Sequence, residues 1–199
     1  MGTAGNYSAV LSREPLQLAI SASGLDKGLL CPEQFLTVDE AGRVTAGAGR
    51  PSEETAVHLA IVAERGAGAV LHTHSVWNTL LSELSGDVGG VEIAGFEMLK
   101  GLDGVSSHEH VEWVPVLSNT QDYPELARAV TGTLRARPRA HGLLLRGHGL
   151  YTWGRDLKEA RRHVEILEFL FEVVGRLHGM QGLRARGPVP GKGGDDGSR

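Results

Sequence analysis

His72 and His74, two residues apart in the segment AVLHTHS, have types and spacing that suit metal chemistry. The apolar run before them predicts a short buried strand. Residues i and i+2 of a strand leave the same face, so both imidazoles can approach one cation. The pair ends that strand where a helical pattern, SVWNTLLSEL, resumes from a cap at Ser75, a usual address for sites in α/β proteins. His148 stands between Gly147 and Gly149 after a second buried strand, GLLLR, with no flanking side chains to block a ligand. The same Gly-His-Gly also reads as an ordinary tight turn. Three histidines from separate strand ends would leave an open coordination position, as in a catalytic rather than a closed structural zinc site. Zinc is preferred to copper or iron by ligand type only.

Glu53, Glu54 and Glu97 are the acids that could act beside such a metal, since a polarised carbonyl acidifies its neighbouring C–H bonds and a carboxylate can move the proton. Glu53 and Glu54 also read as first-turn acids of a helix capped by Ser52. Glu97 follows Gly95-Phe96 in a locally apolar segment, where burial would raise its pKa. The turns Gly2-Thr3-Ala4-Gly5-Asn6 and Ser21-Ala22-Ser23-Gly24, with Ser52 at a helix start, offer N–H and hydroxyl donors. Each alone is an ordinary turn or cap, but together they suit a sugar phosphate. Among the remaining histidines, His58 pairs with Glu54 at i,i+4 spacing. His108 and His110 in SSHEHVE read as a solvated loop or edge. His141, His163 and His178 lack convergent partners and read as structural or surface.

The elements that must hold these groups follow from periodicity and punctuation. The first 50 residues predict short antiparallel strands separated by Gly, Asn and Ser turns. Residues 51–65 change to helical spacing, ended by Gly66-Ala67-Gly68. A short helix is expected over 97–102, a strand at WVPVL, and a helix after Asp122, with Pro124 in its first turn. GLLLRGHGLYTW predicts strand, turn, strand. Asp156 and Glu159 open a long helix running to about His178. Ile166, Phe169, Leu170 and Val173 widen its apolar face, which suits a subunit interface and a deeply packed core helix equally. Residues 1–183 are expected to form one domain, and the Gly/Pro-rich segment 184–199 a disordered tail.

The whole chain sets the frame. It has 199 residues, 20 Lys plus Arg against 24 Asp plus Glu, 41% hydrophobic and 22% charged residues, which suits one domain and excludes wholesale disorder. A net charge of −4 with no basic block argues against nucleic acid as a partner. No apolar run approaches the roughly 20 residues of a membrane span, so no membrane association is expected. A single cysteine, Cys31, excludes an internal disulfide or a Cys-rich metal cluster and fits a reducing, cytoplasmic setting.

The segments GTAGNYS, SASG, PSEET, LHTHS and RGHGLYTWGRDLKEARRHVEILEFL occur here in the order found in the class II aldolase/adducin family, which the chain resembles over roughly residues 2–180. The resemblance implies a three-layer α/β/α sandwich around a mainly antiparallel sheet, assembled as a homotetramer with sites at subunit interfaces. It implies one zinc ion per subunit on His72, His74 and His148, and a sugar-phosphate substrate whose phosphate lies near Asn6, Ser23, Gly24 and Ser52. HTHS, GFEMLKGL, PVLSNTQD and HGLYTWGRDLKEARRH most resemble the dehydratase branch, in which Glu97 would be the catalytic acid/base. The implied reaction is dehydration of 5-methylthioribulose 1-phosphate to 2,3-diketo-5-methylthiopentyl 1-phosphate in methionine salvage. The aldolase branch would instead use Glu54 and a tyrosine near the C-terminus, whereas the last tyrosine here is Tyr151. Aldol cleavage, epimerisation and a non-catalytic adducin-like binding role are the alternatives. The family carries a helix before the GTAGN-type segment. Met1 abuts that segment here, so a misassigned start, a truncation or a true lack of that helix is expected.

Overall fold

The computed structural model describes residues 4–184. Strands β1 (Gly5–Arg13), β2 (Leu16–Ser21), β3 (Phe35–Val38) and β4 (Val44–Ala46) come first. They are followed by helix α1 (Thr55–Arg65), β5 (Ala69–Thr73), α2 (Val76–Leu84), β6 (Gly90–Ala94), β7 (Val111–Leu117) and α3 (Tyr123–Ala136). Then come β8 (Gly142–Leu145), β9 (Gly149–Gly154) and α4 (Leu157–Arg184), and a 3-10 segment spans Glu97–Gly101. The strands make one sheet in the order β4-β3-β2-β1-β5-β9-β8-β7-β6. Only the β7–β8 pair is parallel among these neighbours.

Alternation along the central strands builds a core on each face. Leu143, Leu145, Tyr151 and Trp153 meet Val57, Ile61, Val130 and Leu134 of α1 and α3. Leu144 and Leu150 meet Leu81 of α2 and Leu167, Leu170 and Phe171 of α4. Successive strand residues face opposite layers, so a strand covered on both sides must be apolar throughout. This accounts for the unbroken GLLL of β8. The result is the expected α/β/α sandwich around a mainly antiparallel sheet.

Local signals place most boundaries. Ser75 Oγ accepts the Asn78 N–H at 3.1 Å and opens α2, and Asp122 Oδ1 accepts the Glu125 N–H at 2.9 Å at the start of α3. The start of α1 is a correction: the helix begins at Thr55 with Glu54, not Ser52, at the cap position. Pro51 is held extended by a bridge to Ala22, which delays the helical turn. Ser52 still receives the backbone donors of the turn before the helix, its carbonyl accepting the Thr55 N–H at 3.1 Å and its Oγ the Glu54 N–H at 3.3 Å. Strand β6 was hidden in the sequence by the Gly89-Gly90 turn signal and emerges through its pairing with β7. Helix α4 continues past the expected end near His178. Its Ile166 and Leu170 are buried in the core, whereas Phe169 is 48% exposed. The expected tail beyond Arg184 and the residues Gly2 and Thr3 lie outside the described residues.

Strand directions give the sheet two chemically different ends. One end collects the C-terminus of β5, the turn between β8 and β9, the C-terminus of β7 and the start of β6. The other collects Ala94, Val111, Gly142, Gly154 and Ala69. Leu170 is fully buried where α4 meets the sheet. Leu170→Ala should therefore cost about 2–5 kcal/mol in a denaturant titration, and a cost below 1 kcal/mol would contradict that packing.

Candidate metal centre

His72 lies in β5 and His74 one residue past its end, while His148 occupies the β8–β9 turn. The pairing of β5 with β9 sets Thr73 against Leu150 and His72 against Tyr151, which brings the turn carrying His148 alongside His74. The three rings converge through Nε2: His74 is 2.8 Å and His148 3.3 Å from His72. In a tetrahedral zinc site with bonds of about 2.0–2.1 Å, ligand nitrogens stand roughly 3.3 Å apart. His72 Nδ1 donates to the Leu150 carbonyl at 3.0 Å, so its Nε2 carries the free lone pair. Asn119 Oδ1 lies 3.3 Å from His148 Nδ1 and does the same for that ring.

Three imidazole nitrogens facing one another cannot all find acceptors, so the centre is built for a cation. Burial first, then the neighbouring rings His74 and His148, push the His72 pKa well below its ordinary value. His74 is lowered by burial and by His148, against an opposing pull from Glu54. Glu54 Oε1 is buried without a hydrogen-bond partner among the described residues. It sits 3.5 Å from His148 Nε2 and 3.7 Å from His72 Nε2. A negative, unpartnered oxygen beside three lone pairs is what a divalent ion would satisfy. The residues therefore fit a metal ion.

Glycine is required around His148 for two separate reasons. Gly147 has φ +64°, in the left-handed region. At Gly149 a Cβ would fall 2.7 Å from His74 Cδ2 and 2.8 Å from His72 Cε1. The Gly-His-Gly turn thus keeps side chains out of the rings' space.

Beneath the centre runs a buried polar chain. Ser8 Oγ and His58 Nδ1 are 2.7 Å apart. His58 Nε2 bonds Asn6 Oδ1, and Asn6 Nδ2 donates to Glu54 Oε2 and to Ser52 Oγ. This corrects the simple i,i+4 pair of His58 with Glu54: His58 is fully buried and reaches Glu54 through Asn6. Burial, then the charge of His72, lowers the His58 pKa to about 3, against a raising pull from Glu54. Tyr151 stacks on His72 at 4.0 Å between ring centroids, and burial followed by the Glu54 charge raises its phenol well above the ordinary range.

Asn6, Ser23, Gly24 and Ser52 line one cavity of about 580 Å³ that also touches Glu54, His74 and Lys27. Glu97 is elsewhere. It follows β6, whose C-terminus is at the opposite end of the sheet from the three histidines. Its side chain is 71% exposed and bonds Lys100 Nζ at 2.7 Å. That bond and the Lys100 charge hold its pKa below the usual carboxylate value, so the expected burial and raised pKa are corrected. His110 and His141 are corrected too: both converge on buried Glu112, and His163 adjoins them through Asp103. Asn119 and the Tyr151 stack were missed; the position of Asn119 just past the end of β7 was the available signal.

Comparison with known proteins places this geometry. The model of the class II aldolase and adducin N-terminal domain matches residues 1–174. Methylthioribulose-1-phosphate dehydratase of Methylococcus capsulatus is 43% identical over 180 residues, covering 90% of this chain and 86% of that protein. The enzyme of the same name from Pectobacterium atrosepticum is 45% identical over 173 residues, covering 85% and 82%. Among solved structures, L-fuculose-1-phosphate aldolase from Thermus thermophilus superposes with a TM-score of 0.71 at 27% identity, covering 92% of this chain and 87% of that one.

Two outcomes follow. Gly149→Ala should weaken metal binding by roughly tenfold or more, as disturbed ring orientation does elsewhere, and an unchanged zinc affinity by titration would contradict the close approach. His58 binds its proton near pH 3 when folded but near 6.5 when unfolded. It therefore contributes stability that is present above about 6.5 and lost as pH falls toward 3. Denaturant midpoints should fall across that window less steeply in His58→Asn than in the parent chain; an identical slope would overturn the assignment.

Proposed function

This chain belongs to the class II aldolase and adducin family, and we propose that it is the zinc-dependent hydro-lyase converting 5-methylthioribulose 1-phosphate to 2,3-diketo-5-methylthiopentyl 1-phosphate in methionine salvage. The observation that carries the substrate is the 43–45% identity, over 85–90% of the chain, to enzymes named for that reaction. The three-histidine centre beside a donor-lined cavity supports the chemistry.

His72, His74 and His148 would hold the ion. Zinc bound there supplies a Lewis acid for the C2 carbonyl of the substrate, which acidifies the C3 proton. Asn6, Ser23, Gly24 and Ser52 bind the phosphate, with the Lys27 ammonium lining the same cavity. Glu54 is the carboxylate placed to take the C3 proton, because its Oε1 is unpartnered and faces the histidines. Asn6 holds the other oxygen and so fixes the orientation of Glu54. The C4–O bond then breaks, the hydroxyl leaves as water after receiving a proton, and the resulting enol becomes the diketone by protonation at C4.

Glu97 is the acid for the departing hydroxyl, and it acts on the centre of a neighbouring subunit. Its own centre lies at the other end of the sheet, so a chain alone has two half-sites. Assembly, a homotetramer in this reading, unites them. No helix among the described residues is long and apolar enough to cross a membrane.

The test is dehydration of the substrate by purified protein, with product identified by mass. Glu97→Gln and His72→Ala should each lose activity, Glu97→Gln by roughly 10²–10⁴-fold as expected for one acid/base group. Mixed and reassembled together, the two inactive variants should recover part of it, because some interfaces then pair an intact Glu97 with an intact centre. A mixture that stays inactive although hybrids form would refute the shared site. Release of a small aldehyde and dihydroxyacetone phosphate would select aldol cleavage instead.

A further inference from the structure

The end of the sheet opposite the three-histidine centre holds a second set of metal-ligating atoms. We propose that His110 Nε2, Glu112 Oε2 and His141 Nδ1 form a second divalent-metal site, of the zinc class by its donors. The three atoms lie within 4.8 Å of one another. Both rings address the same carboxylate oxygen, His110 at 2.8 Å and His141 at 2.9 Å. Glu112 is 1% exposed, and the ring side chains 12% and 14%.

For Glu112 and His141 a second contact turns the proposed ligand atom inward. Glu112 Oε1 accepts the His141 backbone N–H at 2.9 Å, leaving Oε2 for the cluster. His141 Nε2 donates to the Asp103 carbonyl at 2.8 Å, leaving Nδ1. The Asp103 N–H is itself fixed, donating to His163 Nε2 at 3.1 Å, while His163 Nδ1 donates to the Trp153 carbonyl at 2.8 Å. Such outer contacts are the usual supports of metal-bound histidine and carboxylate. With no ion bound, the carboxylate oxygen accepts an N–H from each ring, and loss of those two protons turns the same three atoms into a ligand set for a divalent cation. Two nitrogens and one carboxylate oxygen leave a further position open, as in zinc sites with three protein ligands. His110 and His141 line a cavity of about 410 Å³ together with Arg65, Arg139 and Arg155, so water or an anion can complete the coordination there. An ion in this place would join the entry to β7 with the entry to β8, which pair in parallel.

The test is metal stoichiometry of the full-length chain, stripped with chelator and titrated with zinc alone at neutral pH. The parent chain should bind two equivalents. His72→Ala/His148→Ala should keep one, and adding His110→Asn should remove it; in cobalt-loaded protein the ligand-field absorption should disappear in the same step. His110→Asn alone should bind one equivalent and serves if the multiple variant does not fold. A parent chain that binds one equivalent, or His110→Asn that still binds two, overturns the proposal.

Discussion

Antiparallel pairing of β5 with β9 is the constraint from which the rest of the centre follows. With His72 opposite Tyr151 and Val70 opposite Trp153, these four side chains face α1 and α3, and Leu71 faces α4. A slip of one residue would exchange His72 for Leu71, placing an imidazole among apolar groups and a leucine over Glu54. Burial of both faces forbids that slip. The hydrophobic layers are therefore what aim the histidines, and the short β8–β9 turn then has only one place to put His148. Gly147 and Gly149 let the turn fit there.

A polar chain buried this deeply is tolerable because nearly every member is bonded. Ser8, His58, Asn6 and Glu54 satisfy one another in sequence, and the one atom left over, Glu54 Oε1, is the one that faces the three histidines. Burying an unpaired carboxylate oxygen is costly without a compensating charge. The hydroxyl of Tyr151, whose ring stacks on His72, is likewise buried without a partner among the described residues, so the unmet requirement collects around the centre. The same bonded chain keeps His58 neutral and so couples the acid stability of the fold to the integrity of the centre. The opposite end of the sheet carries an exposed Glu97 braced by Lys100, which in the proposed function acts on the centre of a neighbouring subunit.

Legibility in the sequence tracked the range of the interactions involved. His72, His74 and His148 could be found because each is tied to a strand end marked by local apolar runs and glycines. The caps Ser75 and Asp122 were legible for the same reason. His58 was misread because Ser8 and Asn6, its real partners, lie 50 and 52 positions away, whereas Glu54 was near in sequence. Glu97 was placed in an apolar setting because Phe96, Met98 and Leu99 surround it in sequence. In the fold Leu99 turns inward to the core, Met98 is 40% exposed, and Glu97 faces outward with it. Convergence of His110 with His141 depends on parallel pairing of β7 and β8, two strands with a whole helix between them, and no local pattern announces that. Asn6, Ser23, Gly24 and Ser52 were recognisable as parts of turns or a cap, but only the fold shows that they line one cavity.

In the proposed function the three histidines hold the ion that makes dehydration possible. Turnover of 5-methylthioribulose 1-phosphate, measured on chelator-stripped protein and again after reloading with zinc, addresses it directly. Product should be lost on stripping and recovered on reloading in the parent chain, with no recovery when His148 is replaced by alanine. Undiminished dehydration by protein verified to be free of metal would contradict it.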